Sequence, residues 1–161
     1  MAEENHAVIM LRARFADSII SAKKFRDEVT VTVRKEYITK ICRFLKENLQ
    51  FNFLIDVTAV DYMGKAPRFM MVYHFLSIQS KERIRLKVPV SESDPAIDSL
   101  VPLWNTANWL EREVFDLFGI TFNNHPDLRR ILLPNDWSGH PLRKDYPLQG
   151  PDREPYKGRL A

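Results

Sequence analysis

The segment from Glu111 to Asp116 concentrates three acidic side chains and one arginine in a short stretch. Carboxylates so close together can act as a general acid and a general base when their surroundings separate their pKa values. On a helix, Arg112 and Asp116 lie four positions apart and are able to form an ion pair. The segment has no nucleophile in a recognisable motif, so a structural or interfacial charge cluster is favoured over catalysis. A small hydrolase that uses Glu113 remains open as an alternative.

A second group of side chains with potential chemistry follows towards the C-terminus. His125 and His140, with Asp127, Asp136 and Asp145, carry atoms that can bind a metal ion. Their spacing matches no established ligand pattern, and the segment around them offers no rigid support for a metal. We therefore expect no metal in this chain.

Composition and motifs argue against several other classes of protein. The chain of 161 residues has a single cysteine, Cys42, which excludes an internal disulfide framework and a cysteine-ligated iron–sulfur or zinc site. It has five glycines and neither of the glycine-rich motifs that hold nucleotide phosphates. No apolar run approaches the roughly 20 residues that span a bilayer. The acidic N-terminus resembles neither a secretory signal nor an Arg-rich transit peptide, so we expect a reducing compartment.

Basic side chains occur in two regions that could contact the phosphates of a nucleic acid. The net charge is only +3, and acidic residues interleave with the basic ones, which weakens this interpretation. A free-standing nucleic-acid-binding module stays open as an alternative. The candidate contacts are Arg83, Arg85, Lys87, Arg129, Arg130, Arg143 and Lys144, with Tyr73, Trp104 and Trp137 as stacking surfaces.

The elements that must position these side chains follow from the hydrophobic periodicity. Phe69 to Leu76 is apolar on both faces apart from His74, which is typical of a central strand. Pro89 is expected to end the last strand, and a short helix is expected to begin at Pro95. The predicted helices cover 6–15, 34–49 and 106–118, and the predicted strands cover 18–22, 28–33, 51–58, 69–76 and 83–88.

The end of the last predicted helix marks a change in the character of the chain. Asn108 and Glu111 resemble an N-terminal capping box, and Gly119 stands where a C-terminal cap belongs. Six of the ten prolines follow Gly119, so the sequence predicts an extended arm there. Tyr, Trp and Arg side chains in this arm are typical of interface hot spots, which favours docking to a partner over folding back on the chain's own sheet.

These patterns together predict an α+β fold. We expect a mixed β-sheet with helices packed on one face in a core domain of residues 1–119, followed by an extended Pro-rich docking arm of residues 120–161.

A specific signature is formed by Glu111, Arg112, Glu113 and Asp116, followed at fixed spacing by His125 and Arg129. This signature resembles that of the C subunit, or thirty-kilodalton subunit, of the proton-pumping NADH:quinone oxidoreductase, respiratory complex I. A stretch from Val57 to Tyr62 is similar to a further block of that family. The signature positions are Glu111, Arg112, Glu113, Asp116, Leu117, Phe118, His125, Arg129, Ile131 and Leu132, and those of the second block include Trp137, Pro141, Leu142, Arg143, Lys144, Asp145 and Tyr146.

The resemblance implies a scaffold subunit of the peripheral arm without catalysis or cofactor of its own. FMN and the iron–sulfur clusters would belong to partner subunits. The chain would dock beside the large quinone-site subunit and the small subunit that carries the last cluster, with the signature residues at these interfaces. It would contact no nucleic acid and reach the membrane only through the complex, on the cytoplasmic face of a bacterial inner membrane. A related hydrogenase or other complex with a different electron donor is the alternative.

Overall fold

The computed structural model describes residues 5–149 of the chain. Two short 3₁₀ turns, Ala16–Ser18 and Lys35–Tyr37, lead into the elements that follow them. The helices are α1 His6–Phe15, α2 Ile38–Glu47 and α3 Ala107–Phe118. The strands are β1 Ile19–Phe25, β2 Glu28–Val33, β3 Phe53–Asp61, β4 Phe69–Leu76, β5 Arg83–Val90, β6 Ala96–Asp98 and β7 Thr121–Asn123.

Five of these strands form the main sheet in the order β1-β2-β5-β4-β3. The β2–β5 pair is parallel and the other three pairs are antiparallel, so the sheet is mixed. The short strands β6 and β7 form a separate parallel pair. This architecture confirms the predicted α+β class with a mixed sheet.

One face of the main sheet carries the helices, and the hydrophobic core lies between them. On β4 the side chains of Phe69, Met71, Tyr73 and Phe75 are fully buried on this inner face. The apolar stripe of α2, which includes Cys42, belongs to the same core. Full burial of one large apolar side chain contributes about 1.5–3 kcal/mol, so this layer is a main source of stability.

Strand β1 is longer than predicted and continues to Phe25. The turn between β1 and β2 consists of Arg26 and Asp27, which both have positive φ angles, 49° and 63°. Two such residues make the tight hairpin turn whose twist matches paired strands. Strand β5 continues through Pro89, which pairs with Met70, instead of ending there. Beyond Lys87 this strand has no partner on its β2 side, so the missing N–H of proline is tolerated.

Two further local predictions are wrong. The short helix expected at Pro95 is the strand β6, because Ile97 is buried in the core and pairs with Phe122 of β7. The capping box expected at the start of α3 does not form. Thr106 occupies the N-cap position without a side-chain bond, and Glu111 bonds to another segment.

Candidate functional site

The candidate site is α3 together with residues 124–149, and these residues after the helix are here called the return segment. Gly119 ends α3 with a φ of +71°, a left-handed conformation that favours glycine. A Cβ atom at this position would lie 2.6 Å from the His140 ring, so the close approach of the return segment also requires glycine. The chain therefore reverses here and runs back along the helix.

Asp116 is the main anchor of the return segment. Its Oδ2 accepts hydrogen bonds from the backbone N–H groups of Ile131, Leu132 and Leu133, at 3.0, 2.8 and 2.9 Å. Its Oδ1 pairs with Nη1 of Arg130 at 2.7 Å. Burial alone would raise the pKa of Asp116, but these donors outweigh it and hold the pKa below its usual range. The carboxylate therefore stays charged and fixes the loop.

Arg112 binds the same loop from the preceding helical turn. It is 7% exposed, and its Nε and Nη2 atoms donate to the backbone oxygens of Arg129 and Arg130, both at 3.1 Å. Its guanidinium also lies 5.3 Å from the ring centroid of Trp109. The predicted ion pair between Arg112 and Asp116 is absent from the part of the chain that the structure describes, because each side chain binds the return segment instead.

Glu111 points to the opposite side of α3, into the core. Its Oε2 accepts a hydrogen bond from the Ser99 hydroxyl and its Oε1 accepts one from the Leu100 N–H, both at 2.7 Å. Burial away from water raises the pKa of Glu111 to about 7, although these two bonds act against it. Glu111 thus joins α3 to the loop after β6 through neutral donors.

A third charged group connects the return segment to the main sheet. Arg68 forms a two-point pair with Asp61 at 2.9 and 2.8 Å, and it also binds Asp145 of the return segment at 2.8 Å. Asp61 additionally accepts a hydrogen bond from the Lys144 N–H at 2.8 Å. The side chain of Arg68 is 5% exposed and that of Asp61 is fully buried. Hydrogen bonding to Arg68 keeps the pKa of Asp61 low.

The two histidines of the return segment have structural partners. His125 donates from Nε2 to the Asn108 oxygen at 3.2 Å and accepts at Nδ1 from the Asp127 N–H at 3.0 Å. His140 donates from Nδ1 to the Asp116 backbone oxygen at 2.8 Å. Burial holds the pKa of His140 below its usual range. No group of three or more potential metal ligands lies together within residues 5–149.

The return segment therefore packs on its own domain. The sequence favours docking to a partner over such folding back, but residues 120–149 do fold back, because buried charges on α3 and the sheet supply partners for their backbone. Further links are Leu142 N–H to the Leu117 oxygen, Arg143 Nε to the Phe118 oxygen and the Tyr146 hydroxyl to the Ser138 oxygen. The rest of the predicted arm, 150–161, lies outside the described residues.

The structure places the predicted site residues in three kinds of environment. Glu111, Arg112 and Asp116 are buried and bonded within the chain, and so cannot reach a substrate as acid–base groups. Glu113 is exposed and makes no hydrogen bond or ion pair with the described residues, whereas Arg129 is exposed and pairs with Asp127. The remaining residues bond within the chain. Side-chain bonds are made by His125, Asp145 and Tyr146, and backbone bonds by Trp137, Leu142, Arg143 and Lys144. Pro141 is half-buried beside them.

Sequence reasoning missed Arg68, the role of Asp61 and the pairing of Arg130 with Asp116. Asp61 falls in the block from Val57 to Tyr62 that resembles the family, and this block is the available signal. Arg130 sits beside the signature position Arg129, but the signature marks only Arg129. Nothing in the periodicity marks Arg68 as the partner of residues so distant in sequence.

Large apolar side chains are exposed around this buried network. Trp109 is 61% exposed on α3, and Leu132 and Leu142 of the return segment are 60% and 49% exposed. With Glu113, which lies one turn from Trp109, we call these residues the α3 patch. Exposed aromatic and aliphatic side chains of this kind can act as anchors in a partner's pocket. Among the described residues, no helix is both long and apolar enough to cross a bilayer.

Comparisons with known proteins agree with one another. The chain is 65% identical to the C subunit of the NADH-quinone oxidoreductase of Geotalea uraniireducens (strain Rf4), over 100% of this chain and 98% of that protein. A solved trypsin-resistant fragment of Nqo5 is 32% identical, with a TM-score of 0.67 over 75% of this chain and 97% of the fragment. A chain of an archaeal membrane-bound sulfane sulfur reductase shares the fold, with a TM-score of 0.76 over 91% of this chain and 87% of that one, at 22% identity.

The sequence model of the family described as "Respiratory-chain NADH dehydrogenase, 30 Kd subunit" matches residues 31–152. This match covers most of the sequence and includes α3, the return segment and the block around Asp61. It confirms the resemblance identified from the signature. The chain belongs to the family of the thirty-kilodalton subunit of respiratory-chain NADH dehydrogenase.

Proposed function

We propose that this chain is a non-catalytic scaffold subunit of NADH-quinone oxidoreductase. It holds the quinone-site subunit and the subunit with the terminal iron–sulfur cluster in register within the peripheral arm. Electron transfer from NADH to quinone, coupled to proton translocation, takes place in the assembled complex. The chain itself carries no cofactor, and FMN and the iron–sulfur clusters belong to its partners. It reaches the cytoplasmic face of the membrane only through the complex.

The observation that carries this proposal is that charged signature residues bind groups of the chain itself. The carboxylates of Glu111 and Asp116 are fully buried and bonded to the chain itself, which leaves them no access to a substrate. Their bonds instead form a rigid platform on which the α3 patch faces outward. Exposed Trp and Leu side chains on a rigid support are suited to filling pockets on a partner.

The membership of an oxidoreductase complex rests on the relatives, and the docking role rests on the platform. The solved fragment of Nqo5 is described as resistant to trypsin, which supports a core domain that is stable on its own. The identity of 65% to a protein named as the C subunit of an NADH-quinone oxidoreductase favours NADH as the electron donor over a hydrogenase-type complex.

The α3 patch provides a test of the docking role. The double variant Trp109→Ala/Leu132→Ala removes two exposed apolar side chains, so the stability of the isolated chain should change little. Loss of interface anchors typically costs about 1–4 kcal/mol each, so the yield of assembled complex should fall at least tenfold. Exposed Ile9, on α1, provides the control variant Ile9→Ala, which should assemble normally. Normal yield of the double variant would contradict docking through the α3 patch.

A further inference from the structure

The outer face of the main sheet has no helix or strand packed over it within residues 5–149. The helices and the inner-facing strand residues share one core on the opposite side. Cross-strand pairs share a face, so the register assigns the outer residues directly. They include Met70, Val72, His74 and Leu76 of β4 with Phe53, Asp56, Thr58 and Val60 of β3, and Arg83, Arg85 and Lys87 of β5.

The half of this face formed by β3 and β4 is largely apolar. Leu76 pairs with Phe53, which is 43% exposed, and Met70 pairs with Val60, which is 37% exposed. Val72 lies between these pairs. Antiparallel strands with one solvated face normally carry polar residues on that face. Strand β4 instead has the composition of a strand covered on both sides, although no helix or strand of residues 5–149 packs over its outer side, where Val72 is 6% exposed.

The half formed by β5 and its neighbours is basic. Arg85 is paired with Glu28, but Arg83 and Lys87 form no ion pair with residues 5–149. Lys23 of β1 joins them, because it pairs with the outward-facing Thr30. The face thus combines an apolar band with a row of uncompensated positive charges.

We propose that this outer sheet face binds a partner subunit of the oxidoreductase whose surface presents an apolar patch flanked by carboxylates. The inference rests on the proposed scaffold role and adds a second interface, on the side of the sheet opposite α3. Two opposed surfaces allow one small domain to hold two partners in register. The carboxylates would neutralise Arg83, Lys87 and Lys23, and the apolar patch would cover the β3–β4 band.

The size of the face fits this role. Five strands spaced about 4.8 Å apart, each rising about 3.3 Å per residue, give a surface of roughly 500 Å². Stable interfaces bury about 800 Å² on each partner, so this face and its rim supply an area of that order. A nucleic acid fits less well, because its phosphates would lie against the apolar band and beside Asp56.

Introduced cysteines can measure coverage of this face directly, because the native Cys42 is fully buried. Val60→Cys and Arg83→Cys place thiols on the apolar and basic halves, and Arg43→Cys places a control thiol on the exposed side of α2. The maleimide labelling rate of this chain is compared in isolation and in the purified complex. We expect labelling at positions 60 and 83 to slow at least tenfold in the complex, with little change at position 43. Equal rates in both states at positions 60 and 83 would overturn the proposal.

Charge reversal tests the chemistry of the partner. The double variant Arg83→Glu/Lys87→Glu should fold in isolation, as judged by circular dichroism, and should lower the yield of complex at least tenfold. Arg43→Glu makes the same kind of change on α2 and should assemble normally. Normal assembly of the double variant would refute the acidic partner surface while leaving the scaffold role intact. Failure of the wild-type chain to co-purify with any subunit would instead refute the scaffold role.

A binding measurement separates a protein partner from a nucleic acid. The isolated wild-type chain should not bind a fluorescent DNA or RNA duplex at about 0.15 M salt. Binding that disappears in the Arg83→Glu/Lys87→Glu variant would overturn the proposal in favour of a nucleic-acid interface.

Discussion

Replacement of Asp116 by asparagine perturbs the anchor that holds the return segment on α3. In the wild-type chain, one carboxylate oxygen accepts three backbone N–H groups and the other pairs with Arg130. Asparagine has one oxygen, which can keep the three N–H groups. Its amide N–H₂ would then face the guanidinium of Arg130, which is also a donor, so the ion pair is lost without a replacement.

The expected cost follows from the burial of this pair. The side chain of Asp116 is fully buried and that of Arg130 is 16% exposed, so little water can compensate. Removing one partner of a buried pair typically costs about 3–5 kcal/mol. Because small domains are stable by about 5–15 kcal/mol, Asp116→Asn should remove a large fraction of the free energy of unfolding.

Urea unfolding of the isolated chain at neutral pH measures this cost. The control variant is Asp127→Asn, which breaks an ion pair of similar length with Arg129, where the two side chains are 56% and 69% exposed. Exposed pairs contribute about 0–1 kcal/mol, so the control should unfold close to wild type. A cost of Asp116→Asn no larger than that of the control would refute the assignment of Asp116 as the anchor.

The same pair makes a prediction about pH. The folded chain holds the pKa of Asp116 below the ordinary value of 3.8. The stabilisation that the charged Asp116 carboxylate gives to the fold is therefore present above pH 3.8. It is lost as the pH falls through the folded-state pKa. The difference in stability between wild type and Asp116→Asn should shrink when unfolding is measured near pH 3 instead of pH 6. A difference that stays constant over this range would contradict a charged anchor.

Three further predictions concern Glu111, Arg112 and the return segment. The folded-state pKa of Glu111, about 7, exceeds its ordinary value of 4.5, so its contribution to stability is full below pH 4.5 and is lost as the pH rises to about 7. Relative to wild type, Glu111→Gln should thus gain about 2–3 kcal/mol in unfolding free energy between pH 5 and pH 8, and no change with pH would contradict a neutral buried acid. Arg112→Ala leaves two backbone oxygens of the return segment without their donor. We therefore expect a lower yield of complex than with the control variant Arg43→Ala, and equal yields would argue against the platform. A chain ending at Asn124 keeps the buried Ile120 and Phe122 and should retain its circular dichroism while failing to join the complex, whereas a chain ending at Gly119 loses both side chains and should be less stable. Co-purification of the chain ending at Asn124 with partner subunits would show that the return segment is dispensable for docking.

Local periodicity is sufficient to predict much of the core. The alternation of Val29, Val31 and Val33 identifies β2, because the two faces of this strand differ sharply in polarity. The helical spacing of apolar residues from Ile38 identifies α2. Gly119 is identifiable as a helix end because few other residues tolerate a positive φ there. By contrast, the strand around Ile97 contains too few residues for a period, and its pairing with β7 depends on tertiary contacts.

The candidate site is predictable in its residues but not in its contacts. The family signature marks Asp116 and Arg112, yet their partners are backbone groups at least 15 residues away, together with the Arg130 side chain 14 residues from Asp116. Periodicity cannot show such bonds, because the return segment has no regular structure of its own. The sequence predicts a docking arm because periodicity does not show how this segment packs. Its packing depends on buried charges of α3 and the sheet. The α3 patch escapes sequence reasoning because the exposure of Trp109 becomes apparent only once the helix has been placed.

The most direct test of the scaffold role is to identify the proteins that co-purify with this chain from its own host. A tagged copy would be recovered from membranes solubilised in a mild detergent, with the Arg112→Ala variant as a matched comparison. We predict that the wild-type preparation contains flavin, iron–sulfur absorbance, the quinone-site subunit and NADH:quinone activity, and that the variant preparation contains less of each. A hydrogenase or other donor module in place of the flavin subunit would change the complex but keep the scaffold role. Recovery of the wild-type chain as a solitary, colourless protein would contradict the scaffold role.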